Sequence, residues 1–171
     1  MEYSGPGRGK LLILTGMPAS GKTTIARRLA EIADDVFIVS SDDIRKKSGR
    51  KVWEKMESMV QEGLESGMVV VADATNYDKR RRDRFAGVAG VVGCPFWVGY
   101  IRAGTEVLLE RNADRTDSIP QSAIYHFSRS FQEPGPEEGA IVIDTEYLSA
   151  EEAARKIALE MGLSRTAGKN P

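Results

Sequence analysis

The amino-acid sequence predicts an α/β domain in which helices cover both faces of a five-stranded parallel sheet. Five short apolar runs alternate with helical segments along the chain. The first run is apolar almost throughout, which is typical of a parallel strand that is covered on both faces. A glycine-rich loop follows that run directly. These observations indicate a three-layer arrangement with its polar loops at the carboxyl ends of the strands.

Length and composition set limits on the class of protein. The 171 residues and 41% hydrophobic content suit one domain, expected over residues 10–162 with flexible tails at 1–9 and 163–171. Lysine and arginine total 24 against 25 acidic residues, so the net charge of −1 does not indicate a general nucleic-acid binder. The single cysteine excludes an internal disulfide, and no apolar run approaches the ~20 residues of a membrane-spanning helix. A cytoplasmic protein without a membrane partner is expected.

The glycine-rich loop carries the strongest chemical signal. Gly16 and Gly21 enclose four residues and are followed by Lys22 and Thr23, directly after the strand predicted at 10–15. This is the P-loop (Walker A) spacing, in which glycines let backbone N–H groups approach phosphate oxygens. Lys22 is expected to reach the β- and γ-phosphates of ATP, and the Thr23 hydroxyl to ligate Mg²⁺ at the start of a helix. The predicted nucleotide contacts are Gly16, Ala19, Ser20, Gly21, Lys22, Thr23 and Thr24.

The second strand, predicted over 36–40, follows a helix with an apolar stripe over 23–33 and ends in a polar stretch. Because the carboxyl ends of parallel strands share one edge, this stretch should lie beside the phosphate loop. Asp42 is expected to accept a proton from a substrate hydroxyl, and Arg45 to hold a substrate phosphate or carboxylate. Alternatively, either aspartate caps the next helix and Arg45 is a surface residue; Asp43 is assigned to the cap.

The third strand, over 68–72, follows an amphipathic helix predicted at 52–66. It ends in Asp73, and Asn76 comes three residues later. An apolar strand that ends in an acid, downstream of a phosphate loop, suits Mg²⁺ coordination. We therefore expect Asp73 to bind the metal or its water shell together with Thr23, and Asn76 to contact the substrate.

Five basic residues occupy the six positions from Lys79 to Arg84, at the start of another predicted helix. Such a run is usually a solvated, charged face. Its position just after a loop at the edge of the sheet also leaves contact with nucleic acid open.

A fourth strand is predicted over 96–101, and the helix over 106–112 leads into two arginines one turn apart, Arg111 and Arg115. This segment could fold over a bound triphosphate as a small lid, where two guanidinium groups would neutralise charge during phosphoryl transfer. The alternative is that both are cations that stabilise a helix C-terminus.

The last elements complete the alternation. Pro120 begins a helix that is broken at Pro134, and a fifth strand at 140–144 precedes a final helix at 150–162. The only histidine, His126, has no second histidine to share a metal and is expected to be structural or exposed.

Several stretches resemble, in the same order, the kinase domain of the L-seryl-tRNA(Sec) kinase family. They are GMPASGKTT, SSDDIR, VVVADATNYDKRRRD, LLERNADR and FQEPG, within residues 10–145. Polynucleotide 5′-kinases share the phosphate loop and the DD-x-R element. The resemblance implies a P-loop NTPase fold of the nucleoside-kinase group that uses ATP and Mg²⁺. It also implies that Asp42 is the base and Arg45 a substrate ligand. Arg111 and Arg115 match the lid arginines.

The expected activity is transfer of the γ-phosphoryl group of ATP to a hydroxyl on RNA, on an RNA-linked seryl group or on a small molecule. Full-length members of the L-seryl-tRNA(Sec) kinase family carry a C-terminal helical domain that binds tRNA. This sequence shows no match to that domain, so whether RNA or tRNA is a partner stays open. The alternatives are an ATP-hydrolysing accessory module in which hydrolysis gates a partner, and a polynucleotide 5′-hydroxyl kinase. Asp42 and Arg45 favour the kinase, because a pure switch needs neither.

Overall fold

Residues 8–166 are described by a computed structural model, in which five parallel strands form a single sheet. The strands are β1 (Lys10–Thr15), β2 (Val36–Ser40), β3 (Val69–Asp73), β4 (Phe96–Arg102) and β5 (Ile141–Asp144). Their order across the sheet is β2-β3-β1-β4-β5. The chain therefore extends the sheet first on one side of β1 and then on the other, and such a change of direction is where α/β proteins bind ligands. Each predicted strand end lies within one residue of the observed end.

Seven α-helices connect and follow the strands in the described part of the chain. They are α1 (Lys22–Ile32), α2 (Ser41–Ser48), α3 (Val52–Glu65), α4 (Lys79–Val92), α5 (Thr105–Ala113), α6 (Gln121–Ser130) and α7 (Ala150–Met161). The predicted cap of α2 is wrong. Ser40 is the N-cap, since its hydroxyl accepts a hydrogen bond from the Asp43 backbone N–H at 3.3 Å. Asp42 and Asp43 instead lie in the first turn, where the helix dipole favours negative charge.

Alternate residues of β1 face opposite helical layers. Leu12 and Leu14 pack in the core cluster that includes α1 and α7, whereas Leu11 and Ile13 pack in the cluster formed with α3 and α4. All four side chains are completely buried. The loop that follows β1 therefore emerges from the most deeply buried part of the sheet, and this fixes the position of the phosphate loop.

Both predicted tails include residues that contact the core. Gly9 is buried, and the backbone N–H of Leu163 donates a hydrogen bond of 2.8 Å to the Ala158 carbonyl. Residue 163, the first of the expected C-terminal tail, is therefore bonded to the end of α7. The outer parts of both tails, 1–7 and 167–171, lie outside the described residues. No helix within the described range is long and apolar enough to cross a membrane.

Candidate active site

The phosphate loop connects β1 to α1, and its two glycines are required for different reasons. A Cβ on Gly16 would lie 2.2 Å from the Ile101 carbonyl oxygen, so the loop can pass β4 only without a side chain there. Gly21 has a φ of 106°, which L side chains rarely adopt. Ala19 has a φ of 65°, in the left-handed region that is uncommon outside glycine. The backbone is thus folded back on itself, as the sequence predicted.

The ammonium group of Lys22 lies inside this loop. Its Nζ donates hydrogen bonds to the carbonyl oxygens of Gly16 at 2.9 Å and Met17 at 2.8 Å. Burial lowers the pKa of Lys22 to about 8, although the carboxylates of Asp73 and Asp42 act in the opposite direction. Lys22 is therefore held where phosphate oxygens could replace the loop carbonyls as its partners.

The two predicted metal ligands are in direct contact. Thr23 Oγ1 donates a hydrogen bond of 2.8 Å to Asp73 Oδ2, which joins the first turn of α1 to the end of β3. Asp73 is buried, and burial raises the pKa of its carboxyl group although the bond from Thr23 lowers it. Hydroxyl and carboxylate oxygens are the hard ligands that Mg²⁺ prefers. The pair fits a magnesium ion whose other ligands are water and phosphate oxygens.

The predicted base and the predicted substrate arginine lie side by side. Arg45 Nη1 donates a hydrogen bond of 2.9 Å to Asp42 Oδ1, and both side chains are more than half exposed, at 53% and 66%. Asp42 is also close enough to Lys22 and Asp73 to raise the pKa of both groups. The first turn of α2 therefore places an exposed carboxylate near the phosphate loop and the acid of β3.

Arg111 is held against the phosphate loop by a residue that the sequence analysis missed. Its Nη1 and Nη2 donate to the hydroxyl and carbonyl oxygens of Thr145, at 2.8 and 2.9 Å. The Thr145 hydroxyl in turn donates to the Ser20 carbonyl at 3.0 Å. Thr145 directly follows β5, at the same edge of the sheet as the phosphate loop. This position in the sequence could have marked it as a candidate site residue. Arg111 thus links α5, the end of β5 and the phosphate loop.

Arg115 occupies a different environment. It forms an ion pair of 3.0 Å with Asp117 and is close enough to Lys22 to contribute to lowering its pKa, after the larger effect of burial. Arg115 lies in the loop after α5, and the buried Asn112 holds the two ends of this loop together. The Asn112 side chain donates to the Ile119 carbonyl at 2.7 Å and accepts from the Ile119 N–H at 3.0 Å. The two predicted lid arginines therefore have different partners in this structure.

The prediction that Asn76 contacts substrate does not agree with its position. The side chain is completely buried, and its Nδ2 donates a hydrogen bond of 2.6 Å to the Leu14 carbonyl. The backbone carbonyl of Asn76 accepts a hydrogen bond of 2.9 Å from the Thr15 hydroxyl. Asn76 satisfies backbone groups at the end of β1, where the pairing with β3 stops. It therefore fixes the loop after β3 rather than facing a substrate.

Three of the five cations in the basic run are exposed, as expected of a solvated face, but most of the run is paired within the protein. Three of its cations are paired within the protein, namely Lys79 with Asp83, Arg82 with Glu138 and Arg84 with Glu57, each at 2.7 Å. Arg82 is only 1% exposed and also donates to the carbonyls of Asn76 and Gln132. The sequence analysis missed this buried role, although Arg82 shares a helical face with the buried Phe85 and Ala89. Arg81 has an aromatic environment that is described below.

The order of the sheet, the loop between β1 and α1 and the acid that ends β3 together define a nucleotide-binding domain of the P-loop class. A family model described as an AAA domain matches residues 11–134, and the chain belongs to this family. The L-seryl-tRNA(Sec) kinase of Methanococcus maripaludis is 30% identical over 138 residues, which are 73% of this chain and 53% of that protein. The chain thus spans about half the length of this relative. The similarity confirms the family resemblance inferred from the motifs.

Solved structures confirm the predicted α/β fold. APS kinase CysC from Mycobacterium tuberculosis, in complex with AMPPNP and APS, has a TM-score of 0.74 at 17% identity, over 91% of this chain and 98% of that one. A gluconokinase from Sinorhizobium meliloti 1021 has a TM-score of 0.68 at 20% identity, over 92% of each chain. A chain of the Pnkp1/Rnl/Hen1 RNA repair complex has a TM-score of 0.66 at 25% identity, over 76% of this chain and 46% of its own length.

Proposed function

We propose that this chain is an ATP-dependent kinase domain that transfers the γ-phosphoryl group of ATP to a hydroxyl acceptor in the cytoplasm. The observation that carries the proposal is the exposed pair of Asp42 and Arg45, in which Asp42 lies within electrostatic reach of Lys22 and Asp73. A module that only hydrolyses ATP needs a water site but has no need for a base and a cation directed at a second substrate.

In this proposal each residue has a separate task. Lys22 leaves the carbonyls of the loop to bind the β- and γ-phosphates, and Asp42 accepts the proton of the acceptor hydroxyl while Arg45 orients the acceptor. The acceptor oxygen forms a bond to the γ-phosphorus as the bond to the bridging oxygen of ADP breaks. Thr23 and Asp73 would hold a Mg²⁺ ion, which would supply charge neutralisation to the phosphate groups.

The relatives suggest three acceptor classes without choosing between them. An RNA-linked seryl group follows from the name of the L-seryl-tRNA(Sec) kinase, and an RNA hydroxyl from the RNA repair complex. The gluconokinase and the APS kinase suggest a small-molecule acceptor. All three share the hydroxyl chemistry that Asp42 can support.

The test combines transfer assays with binding of a non-hydrolysable ATP analogue and Mg²⁺. Labelled ATP is offered with total RNA and with a metabolite set, and phosphorylated products are counted. Asp42→Asn should lower transfer ~10²-fold, the usual scale for losing a general base, while analogue binding is unchanged. Arg45→Ala should raise the KM of the acceptor without changing that of ATP. The neighbouring Asp43→Asn, with the same change in charge, should keep transfer within about twofold of the wild type.

Two outcomes count against this assignment. Hydrolysis of ATP with no phosphorylated product from any acceptor would favour the accessory-module alternative. Loss of analogue binding in Asp42→Asn would place Asp42 among the metal and phosphate ligands instead of the acceptor side.

A further inference from the structure

Arg81 differs from the other cations of the basic run because it lies on an aromatic surface. Its guanidinium carbon is 3.5 Å from the centroid of the Trp53 ring and 5.4 Å from that of Tyr77. Within residues 8–166 this side chain makes no hydrogen bond and no ion pair with a carboxylate. A stacked guanidinium is restricted in orientation while its in-plane N–H groups stay available to an anion.

The aromatic surface is itself held in place by the protein. The Tyr77 ring meets the edge of Phe127 on α6 with ring centroids 6.1 Å apart, and the Tyr77 carbonyl accepts a hydrogen bond of 2.7 Å from the Gln132 N–H. At the start of α4 the Arg81 N–H donates to Asp78 Oδ1 at 2.8 Å. The guanidinium is therefore positioned by α3, α4 and α6 together.

Arg81 also lies on the side of the site where the acceptor is expected. Arg81 lies near the start of α4, which follows β3, and Asp42 lies in the first turn of α2, which follows the neighbouring strand β2. Burial lowers the pKa of Arg81, Tyr77 and Asp78 raise it, and the cations Arg84 and Arg45 lower it. Arg45 in turn donates a hydrogen bond of 2.9 Å to Asp42, so the proposed base, Arg45 and Arg81 all lie at the edge of the sheet where the strands end. A bound anion would offset the repulsion among the three arginines, in competition with the Asp78 carboxylate, which already attracts Arg81.

We propose that Arg81, stacked on Trp53, is a specificity residue that binds a phosphate group of the acceptor beside the hydroxyl that Asp42 activates. The planar guanidinium can offer two parallel N–H donors to a phosphate, which a lysine cannot. This inference rests on the proposed kinase function and deepens it, because it restricts the acceptor to phosphate-bearing molecules. Nucleotides and sugar phosphates share that chemistry, whereas neutral nucleosides and sugars lack it.

The test measures binding, so that it does not depend on transfer. Titration calorimetry is carried out with the nucleotide site saturated by a non-hydrolysable ATP analogue and Mg²⁺, and the probes are 5′-AMP, ribose 5-phosphate and adenosine. The wild type should bind at least one phosphate probe about tenfold or more tightly than adenosine, the scale of hydrogen bonds to a charged group. Arg81→Ala should remove this preference, and Arg81→Lys should restore only part of it. Arg27→Ala, an exposed arginine on α1 with the same change in charge, should leave it unchanged.

Preference for 5′-AMP alone would identify a nucleotide acceptor, and preference for ribose 5-phosphate a sugar phosphate. Failure of the wild type to prefer either phosphate probe, or a preference that survives in a folded Arg81→Ala variant, would overturn the inference. Transfer assays on the same proteins separate the two proposals. A phosphate preference that depends on Arg81 without any transfer would count against the kinase function and leave the phosphate site standing.

Discussion

The Thr23 hydroxyl donates a hydrogen bond of 2.8 Å to the Asp73 carboxylate across a separation of 50 residues in sequence. The sheet makes this contact possible, because β3 pairs with β1 in a register that sets Asp73 opposite Leu14, just before the phosphate loop. One neutral donor and one carboxylate therefore meet at the position where a nucleotide-bound metal is expected.

The first prediction concerns this contact. Asp73→Asn keeps an oxygen that can accept from Thr23 but removes the negative charge, so the gain in affinity that Mg²⁺ gives to an ATP analogue should fall ~10- to 100-fold, the range for residues that support a metal. Titration calorimetry with and without Mg²⁺ measures that gain. Asp144→Asn, which changes an acid at the end of β5, is the matched control and should retain the wild-type gain. An Asp73→Asn protein with an undiminished Mg²⁺ effect would remove Asp73 from the metal site.

The second prediction follows from the pKa of Lys22, which burial lowers to about 8. At pH 8 about half of the Lys22 groups are neutral, and phosphate oxygens favour the charged form. At pH 8, nucleotide binding should therefore be accompanied by the uptake of roughly half a proton at Lys22. At pH 6 Lys22 is already charged, so almost no proton should be taken up there. Calorimetry in buffers of different ionisation enthalpy measures the uptake, and Lys22→Met, titrated in parallel, gives the contribution of all other groups.

The same lysine should be essential for transfer. Lys22→Ala is expected to lower the transfer rate by about 10²- to 10³-fold, because it removes a cation that stabilises the migrating phosphoryl group. Circular dichroism should show that the fold survives. A folded Lys22→Ala protein with a normal transfer rate would contradict the active-kinase proposal.

The third prediction separates the two lid arginines. Arg111→Ala removes the bonds to Thr145 beside the phosphate loop, so it should weaken binding of the ATP analogue. Arg115→Ala should leave binding largely intact and lower kcat, because across residues 8–166 Arg115 makes no bond to the phosphate loop and a cation is needed most when charge moves towards ADP. It should also raise the pKa of Lys22, since the Arg115 cation helps to lower it. If both variants keep wild-type constants, the two arginines only stabilise the end of a helix.

The fourth prediction concerns the buried pair of Arg82 and Glu138, whose side chains are 1% and 8% exposed. Arg82→Met leaves the Glu138 carboxylate buried without its partner and should lower the free energy of unfolding by ~3–5 kcal/mol. Arg82→Met combined with Glu138→Leu removes both charges and should recover most of that loss. Urea unfolding measures each value. A double variant no more stable than Arg82→Met would show that the bonds from Arg82 to backbone carbonyls matter more than the ion pair.

Much of the fold could be predicted from local sequence. Parallel strands that are covered on both faces require continuous apolar runs, and the phosphate loop requires glycine at Gly21, whose φ of 106° is rarely adopted by residues with a side chain. Because the carboxyl ends of parallel strands share one edge of the sheet, the sequence alone also predicted that Asp42 and Asp73 lie near the phosphate loop. These features depend on the residue itself and its near neighbours in the chain.

The tertiary structure decided the roles of residues whose partners are distant in sequence. Asn76 lies in the loop after β3 and Arg82 in the helix that follows, and no local pattern shows that Asn76 binds the Leu14 carbonyl or that Arg82 pairs with Glu138. Thr145 gained its position beside Arg111 only because β5 pairs with β4. A buried polar group must find a hydrogen-bond partner, and which partner it finds is set by packing between elements rather than by neighbours along the chain.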